Sequence, residues 1–347
     1  MSILPDLKAR IEAFIRLGEK ISTLEEESRF SLFRKMENQN AWFVARSAEA
    51  TLEGLAFMLS RENLDKWLAN YSIQEPNQPR KIGILMAGNI PAVGFHDLMC
   101  VVISGHKACV KLSSSDAVLM DWLIQQLFLI ESRFKDLVQV EEMLKAKDAY
   151  IATGSDNSAR YFNYYFGKYP HIIRSNRTSI AILTGMESDH DLENLGKDIF
   201  QYFGLGCRNV SKIYVKSESS LQHLLRVLER NQWVNSHHKY LNNYDYNKSI
   251  YLVNGEPHLD NGLLILKESK ELVSPIGVLY YEYYEDILVL TERLNDVVQK
   301  IQCVVSSRPV EGFKIIPFGQ AQLPCPWDYA DNLDTLQFLL NLNLPKD

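Results

Sequence analysis

The residue best suited to chemistry in this chain of 347 residues is Cys207, in the stretch Gly204-Leu205-Gly206-Cys207-Arg208. The glycines predict a turn between a helix and a strand. A thiol there is accessible, and Arg208 makes the local field partly positive; both conditions lower a thiol pKa and favour a nucleophilic thiolate. The competing fate of a free cysteine is to be buried and to pack. Cys100, Cys109, Cys303 and Cys325 lie inside apolar runs or beside prolines and fit that fate better. A second candidate is Thr153-Gly154-Ser155, which closes an expected strand and opens a helix through Asn157–Tyr165. Backbone N–H groups at a helix start, with a hydroxyl beside them, suit a pyrophosphate; the same triplet also reads as a simple N-cap. His237 and His238 have no third ligand at ordinary spacing, so no metal site is expected. They are assigned to the surface or a substrate loop. Neither a Gly-x-Gly-x-x-Gly nor a Gly-x-x-x-x-Gly-Lys-Ser/Thr signature is present.

The elements that must carry these residues follow from periodicity. Residues 5–70 read as helices: Leu7, Ile11, Phe14 and Ile15 recur at helical spacing, and Ser22 with Glu25 matches a capping box. A polar connection with two prolines fills 71–80. Beyond it, short apolar strands (81–87, 108–112, 149–153) alternate with helices (96–104, 121–127), the signature of a doubly wound parallel sheet. A second α/β unit begins near Ser179, with a strand at 180–183, a helix at 191–203 and a strand at 211–215. The expected division is therefore 1–178 and 179–347, the latter including a C-terminal tail. Tyr280, Tyr281, Tyr283 and Tyr284 alternate with acids and are read as packing residues.

Composition bounds the function. Chains of this length split into two cores, and the 46% hydrophobic and 23% charged fractions are those of an ordinary folded interior. Net charge is -6, so no basic field draws in nucleic acid. No apolar run reaches bilayer length and no signal peptide opens the chain, so a cytoplasmic protein is expected. An odd number of scattered cysteines, five, argues against a disulfide framework.

The ordered passages Asn89-Ile90-Pro91, Lys111-Leu112-Ser113, Thr153-Gly154-Ser155, Gly204-Leu205-Gly206-Cys207 and Glu271-Leu272-Val273-Ser274-Pro275 together resemble the aldehyde dehydrogenase superfamily. Within it, ILMAGNIPAVGFHDLMCVVISGHKACVKLSSSDA and FGLGCRNVSKIYV look like the LuxC-type acyl-CoA reductases. The resemblance implies a Rossmann-type cofactor domain and an α/β catalytic domain. It implies Cys207 as the nucleophile holding an acyl thioester and Asn89 as an oxyanion-hole donor. It places Lys111 at the adenosine ribose, Thr153, Gly154 and Ser155 at the pyrophosphate, and Glu271 at the nicotinamide ribose. Val273 and Ser274 replace the phenylalanine and glycine of that last motif. A homo-oligomer is also implied, as is a donor that is either acyl-CoA, with coenzyme A leaving, or an acyl-carrier protein.

Two departures refine the expectation. The superfamily's water-activating glutamate has no counterpart in Arg174–Ser179, which favours reducing the thioester over hydrolysing it. Ser114 stands where NAD-preferring members carry a glutamate, and with Ser113 and Lys111 it suits a 2′-phosphate, so NADPH is expected over NADH. Arg160, Lys168, Arg174 and Arg177 are candidates for neutralising phosphates of the nucleotide or of coenzyme A, although a solvated helix face accounts equally for Arg160 and Lys168. Two other readings stay open: an acyl-transfer component that passes the thioester to a partner enzyme unreduced, and a catalytically silent assembly subunit.

Overall fold

Helix α1 (Leu7–Ser22) starts where Asp6 accepts a hydrogen bond from Ala9 N at 2.8 Å, and it buries Phe14, Ile15, Leu17 and Ile21. These details come from a computed structural model that describes residues 4–343. Helix α2 (Glu26–Gln39), α3 (Ala45–Met58) and α4 (Arg61–Leu68) complete the N-terminal helical layer. The expected capping box does not form. Helix α1 runs through Ser22, whose hydroxyl bonds back to Gly18 O at 3.1 Å, and Glu25 is itself the N-cap residue of α2 without a side-chain bond.

The chain then builds a parallel sheet. Strand β1 (Lys81–Leu85), helix α5 (Phe95–Ile103), β2 (Lys107–Lys111), α6 (Ala117–Ile130), β3 (Val138–Val140), β4 (Ala149–Thr153), α7 (Asp156–Phe166) and β5 (His171–Arg174) follow in order. Spatially the strands run β3-β2-β1-β4-β5. The winding therefore reverses between β1 and β4, a topological switch point of the kind that opens a ligand crevice beyond the C-terminal ends of the strands.

A second sheet of mostly parallel strands forms from β6 (Thr178–Ile182), α8 (Asp189–Phe200), β7 (Val210–Val215), α9 (Glu218–Leu228), α10 (His238–Val253), β8 (Leu259–Asp260), β9 (Ile265–Glu268), β10 (Val278–Tyr283), α11 (Ile287–Asn295), β11 (Ile301–Ser306) and β12 (Ile315–Ile316). Its order is β12-β11-β6-β7-β10-β9-β8, and only the β8–β9 pair is antiparallel. Tyr280, Tyr281 and Tyr283 lie on β10, and the Tyr284 hydroxyl donates to Leu183 O.

By contacts the chain divides into Arg177–Gln322 and a unit made of the residues up to Asn176 with those from Leu323 on. The C-terminal stretch thus leaves the second sheet, with which the sequence grouped it. Its short helix α12 (Thr335–Asn341) buries Leu336 and Leu339 in the first core. Polar ties fix the same stretch: Trp67 Nε1 donates to the Tyr329 hydroxyl at 2.8 Å, Arg174 Nη2 to Thr335 Oγ1 at 2.7 Å, and His106 Nε2 meets Leu339 O at 3.2 Å.

Candidate active site

In the first unit the expected cofactor residues gather at one edge. Leu85 pairs with Lys111 across β1 and β2 and with Ala152 across β1 and β4, so Lys111 and Thr153 end strands that flank β1, and Asn89 follows the C-terminal end of β1 itself. Gly88 makes this approach close: a Cβ there would lie 2.7 Å from Ser113 Cβ, so any larger residue would push the Asn89 turn off the serine segment. Asn89, Lys111, Ser114 and Ser155 are exposed, while Ser113, Thr153 and Gly154 are half-buried. Ser155 is the N-cap residue of α7, accepting from Ser158 N at 3.3 Å. A Cβ on Gly154 would sit 2.8 Å from both Phe162 Cε2 and Ser158 Cβ, so glycine keeps the start of α7 open.

Asp116, at the start of α6, was not singled out by sequence. Its carboxylate is buried, accepts the Ala92 N–H at 2.7 Å through Oδ2, and leaves Oδ1 without a hydrogen bond. It thereby ties the serine segment to the turn after Asn89, where Ala92 sits at φ 57°. Burial pushes Asp116 from an ordinary 3.8 up to about 8. The native chain then keeps a proton that the unfolded chain has released, so stability present below about pH 4 is lost as pH rises through about 8. Asp116→Asn is expected to flatten that slope, read by urea unfolding across the window; an unchanged slope would mean that the carboxylate is solvated. Asp198, raised by burial to about 7, acts in the same direction and remains in the variant.

In the second unit Cys207 is half-buried on the turn before β7, at the N-terminal edge of the sheet. Cys100, Cys109 and Cys303 are buried, and burial raises the pKa of the first two, leaving them as packing thiols. Cys325 is also half-buried, between two prolines. The approach to Cys207 is strained: Tyr202 and Phe203 take left-handed φ values of 53° and 56° ahead of Gly204 at 80°. Such non-glycine residues cost on the order of 1–3 kcal/mol each and persist only where packing holds them. Phe203 is held by Trp233, His237 and Tyr240, with the His237 ring centroid 4.2 Å away.

His237 is accordingly neither a surface nor a substrate-loop residue. It is buried and caps α10, accepting from Tyr240 N at 3.2 Å, while His238 is exposed. No cluster of three metal-ligating side chains occurs among the described residues. Arg174 is likewise unavailable to a phosphate. It is buried in an ion pair with Asp97 at 2.6 Å, because its strand aims it into the core beneath α5 and α12. Arg160 and Lys168 are exposed, and Arg177 donates to Ile301 O at 3.3 Å. Glu271 is exposed on a loop tied to β7, where Ser211 Oγ donates to Leu272 O at 2.7 Å and meets Thr178 Oγ1 at 2.5 Å; on the neighbouring strand Ser179 Oγ donates to Cys207 O at 3.0 Å.

The family profile described as "Acyl-CoA reductase (LuxC)" matches residues 13–228, a span that carries both the β1–β4 edge and Cys207. The chain belongs to the LuxC acyl-CoA reductase family. This acyl-CoA reductase is an aldehyde-forming oxidoreductase acting on acyl groups, and its fold is that of the aldehyde dehydrogenases. An NADP-dependent enzyme of E. coli superposes with a TM-score of 0.64 at 11% identity, covering 90% of this chain and 78% of that one. Aldehyde dehydrogenase C of Pseudomonas syringae, solved with NAD+ and octanal, gives 0.62 at 11%, covering 88% and 78%. Aldehyde dehydrogenase 21 of Physcomitrella patens, solved with succinate, gives 0.63 at 11%, covering 90% and 78%. No curated protein matches the reductase in sequence. Among its described residues no helix is long and apolar enough to cross a membrane.

Proposed function

We propose that this acyl-CoA reductase carries its acyl group on Cys207 and prefers NADPH. The observation that carries the reading is the contrast among the thiols: Cys207 is half-buried on a turn inside the family match, whereas Cys100, Cys109 and Cys303 are buried and the half-buried Cys325 lies outside that match. The Cys207 thiolate attacks the thioester carbonyl, forming a C–Sγ bond. The oxyanion develops against the Asn89 amide and the Cys207 backbone N–H. The C–S bond to coenzyme A, or to an acyl-carrier protein, then breaks, and the leaving thiolate takes a proton from solvent. One thioester has replaced another, so the exchange is nearly thermoneutral. A reduced nicotinamide, when bound, would supply the hydride that turns the enzyme thioester into an anionic thiohemiacetal. Breaking the C–Sγ bond of that adduct releases aldehyde and returns the thiolate.

The edge beyond β1, β2 and β4 suits such a cofactor: the α7 N-terminus with Thr153, Gly154 and Ser155 for the pyrophosphate, and Lys111 for the adenosine ribose. Glu271 would meet the nicotinamide ribose. NADPH is favoured because Ser113 and Ser114 bring hydroxyls without a carboxylate. Asp116, two residues beyond Ser114, is turned inward onto the Ala92 N–H, and burial raises its carboxyl to about 8.

Incubation with acyl-CoA followed by intact-mass measurement tests the reading. A single acyl adduct that NADPH discharges more efficiently than NADH is expected; an adduct that neither discharges would reduce the chain to an acyl-transfer component. Asn89→Ala should slow adduct formation by roughly 100-fold to 1000-fold, the usual effect of losing one oxyanion donor. Acylation at the unaltered rate would remove Asn89 from the reaction.

A further inference from the structure

The turn that bears Cys207 is tied to the end of α8 by one side chain two residues further on. Asn209 is buried, with 1% of its surface exposed. Its Nδ2 donates to Asp198 O at 3.1 Å, Ile199 O at 3.3 Å and Gln201 O at 2.7 Å, the carbonyls left orphaned where α8 ends. Its Oδ1 accepts the Gly206 N–H at 2.8 Å, and its own backbone N–H donates to Gly206 O at 3.0 Å. A primary amide is the one small side chain that offers two donors and an acceptor in a single plane.

Three consecutive peptide planes are therefore set around the thiol. The Leu205–Gly206 plane is set by the Asn209 amide and the Gly206–Cys207 plane by the Asn209 N–H. The Cys207–Arg208 plane is set by Ser179 Oγ, which donates to Cys207 O. Fixing the middle plane fixes the direction of the Cys207 N–H. Arg208, which sequence assigned to the thiolate's field, adds a second tether: its Nη1 donates to Ala321 O at 3.2 Å and to Cys303 Sγ at 3.3 Å. Asp198 closes the ring by accepting from Gly319 N at 2.6 Å and Ala321 N at 3.0 Å.

We infer that Asn209 is the positioning residue of this reductase, clamping the Cys207 turn to the end of α8 so that the backbone N–H of Cys207 is aimed before the oxyanion forms. The inference rests on Cys207 as the nucleophile. Preorganised donors cost no reorganisation during reaction, whereas a misplacement of about 1 Å costs on the order of 100-fold.

The test separates acylation, which develops an oxyanion, from alkylation by iodoacetamide, which develops none. In Asn209→Ala, acylation of Cys207 by acyl-CoA, followed by intact mass without any nicotinamide, should slow by on the order of 100-fold. The KM for acyl-CoA, and the rate and pH midpoint of Cys207 alkylation, should stay close to those of the unaltered chain. Ser179→Ala, a gentler change that frees only the third plane, should show the same split with a smaller loss, and it decides the matter if Asn209→Ala does not fold. Acylation and alkylation falling together, or neither falling, would overturn the inference while leaving Cys207 as nucleophile. An unaltered chain that forms no adduct on Cys207 would sink both.

Discussion

Cys207→Ala is expected to abolish the acyl adduct and to reduce aldehyde formation by roughly 10,000-fold or more, the scale on which removing a covalent nucleophile acts. The variant should still fold, because Cys207 is half-buried and the tethers of its turn run through Asn209, Ser179 and backbone groups. On the proposed reading it should also still bind a nicotinamide cofactor, since Lys111, Thr153, Gly154 and Ser155, the residues proposed for its adenosine ribose and pyrophosphate, belong to the other unit. Intact mass after incubation with acyl-CoA, beside cofactor fluorescence titration, reads both effects. A persistent adduct would move the nucleophile elsewhere, and Cys325, the other thiol outside the core, would be the next to replace.

The second large effect concerns stability. Asp97→Ala should destabilise the first unit by about 3–5 kcal/mol, because it leaves the Arg174 guanidinium buried without a counter-charge. The side chains of the pair are only 3% and 8% exposed and meet at 2.6 Å, so water cannot replace the carboxylate. Arg174 Nε already lacks a hydrogen bond, and its Nη2 is the tie to Thr335, so the C-terminal helix should loosen together with the core. Urea unfolding measures the loss. A replacement of both residues by apolar ones, Asp97→Leu with Arg174→Met, should be less harmful than Asp97→Ala alone, since it removes both charges from the interior. A single variant losing less than about 1 kcal/mol would mean that water reaches the guanidinium.

The same arginine shows where the sequence stops being informative. Arg174 follows the Thr-Gly-Ser turn in a basic series, and its neighbours along the chain say nothing of a carboxylate 77 residues earlier. His237 is comparable: His-His after a polar stretch suggests surface or substrate-loop residues, but the left-handed Phe203 needs an aromatic wall, and His237 supplies it. Ser22 and Glu25 fit the capping pattern, yet α1 continues through the serine because nothing before it breaks the helical run. What could be read were features written locally. Strand, turn and helix alternate with clear periodicity, and the residues ending β1, β2 and β4 come together because parallel strands in register must end side by side. Asn209 was readable in principle, as an amide two residues beyond a glycine-flanked turn, but its partners at the end of α8 emerge only in three dimensions.

The return of the C-terminal stretch to the first unit has a consequence for synthesis. Thr335 lies 161 residues beyond Arg174, and Tyr329 lies 262 beyond Trp67. At roughly 5–20 residues per second, the ribosome needs about 8–30 s after making Arg174 before its hydroxyl partner exists. During that interval the nascent first lobe presents the bed of α12 uncovered, with the tryptophan indole still lacking its phenol. The other lobe is continuous in sequence from Arg177 to Gln322 and is able to close first. A chain that stopped at Gln322 would thus carry its thiol turn but lack Tyr329, Thr335, Leu336 and Leu339, the residues that cover the first lobe.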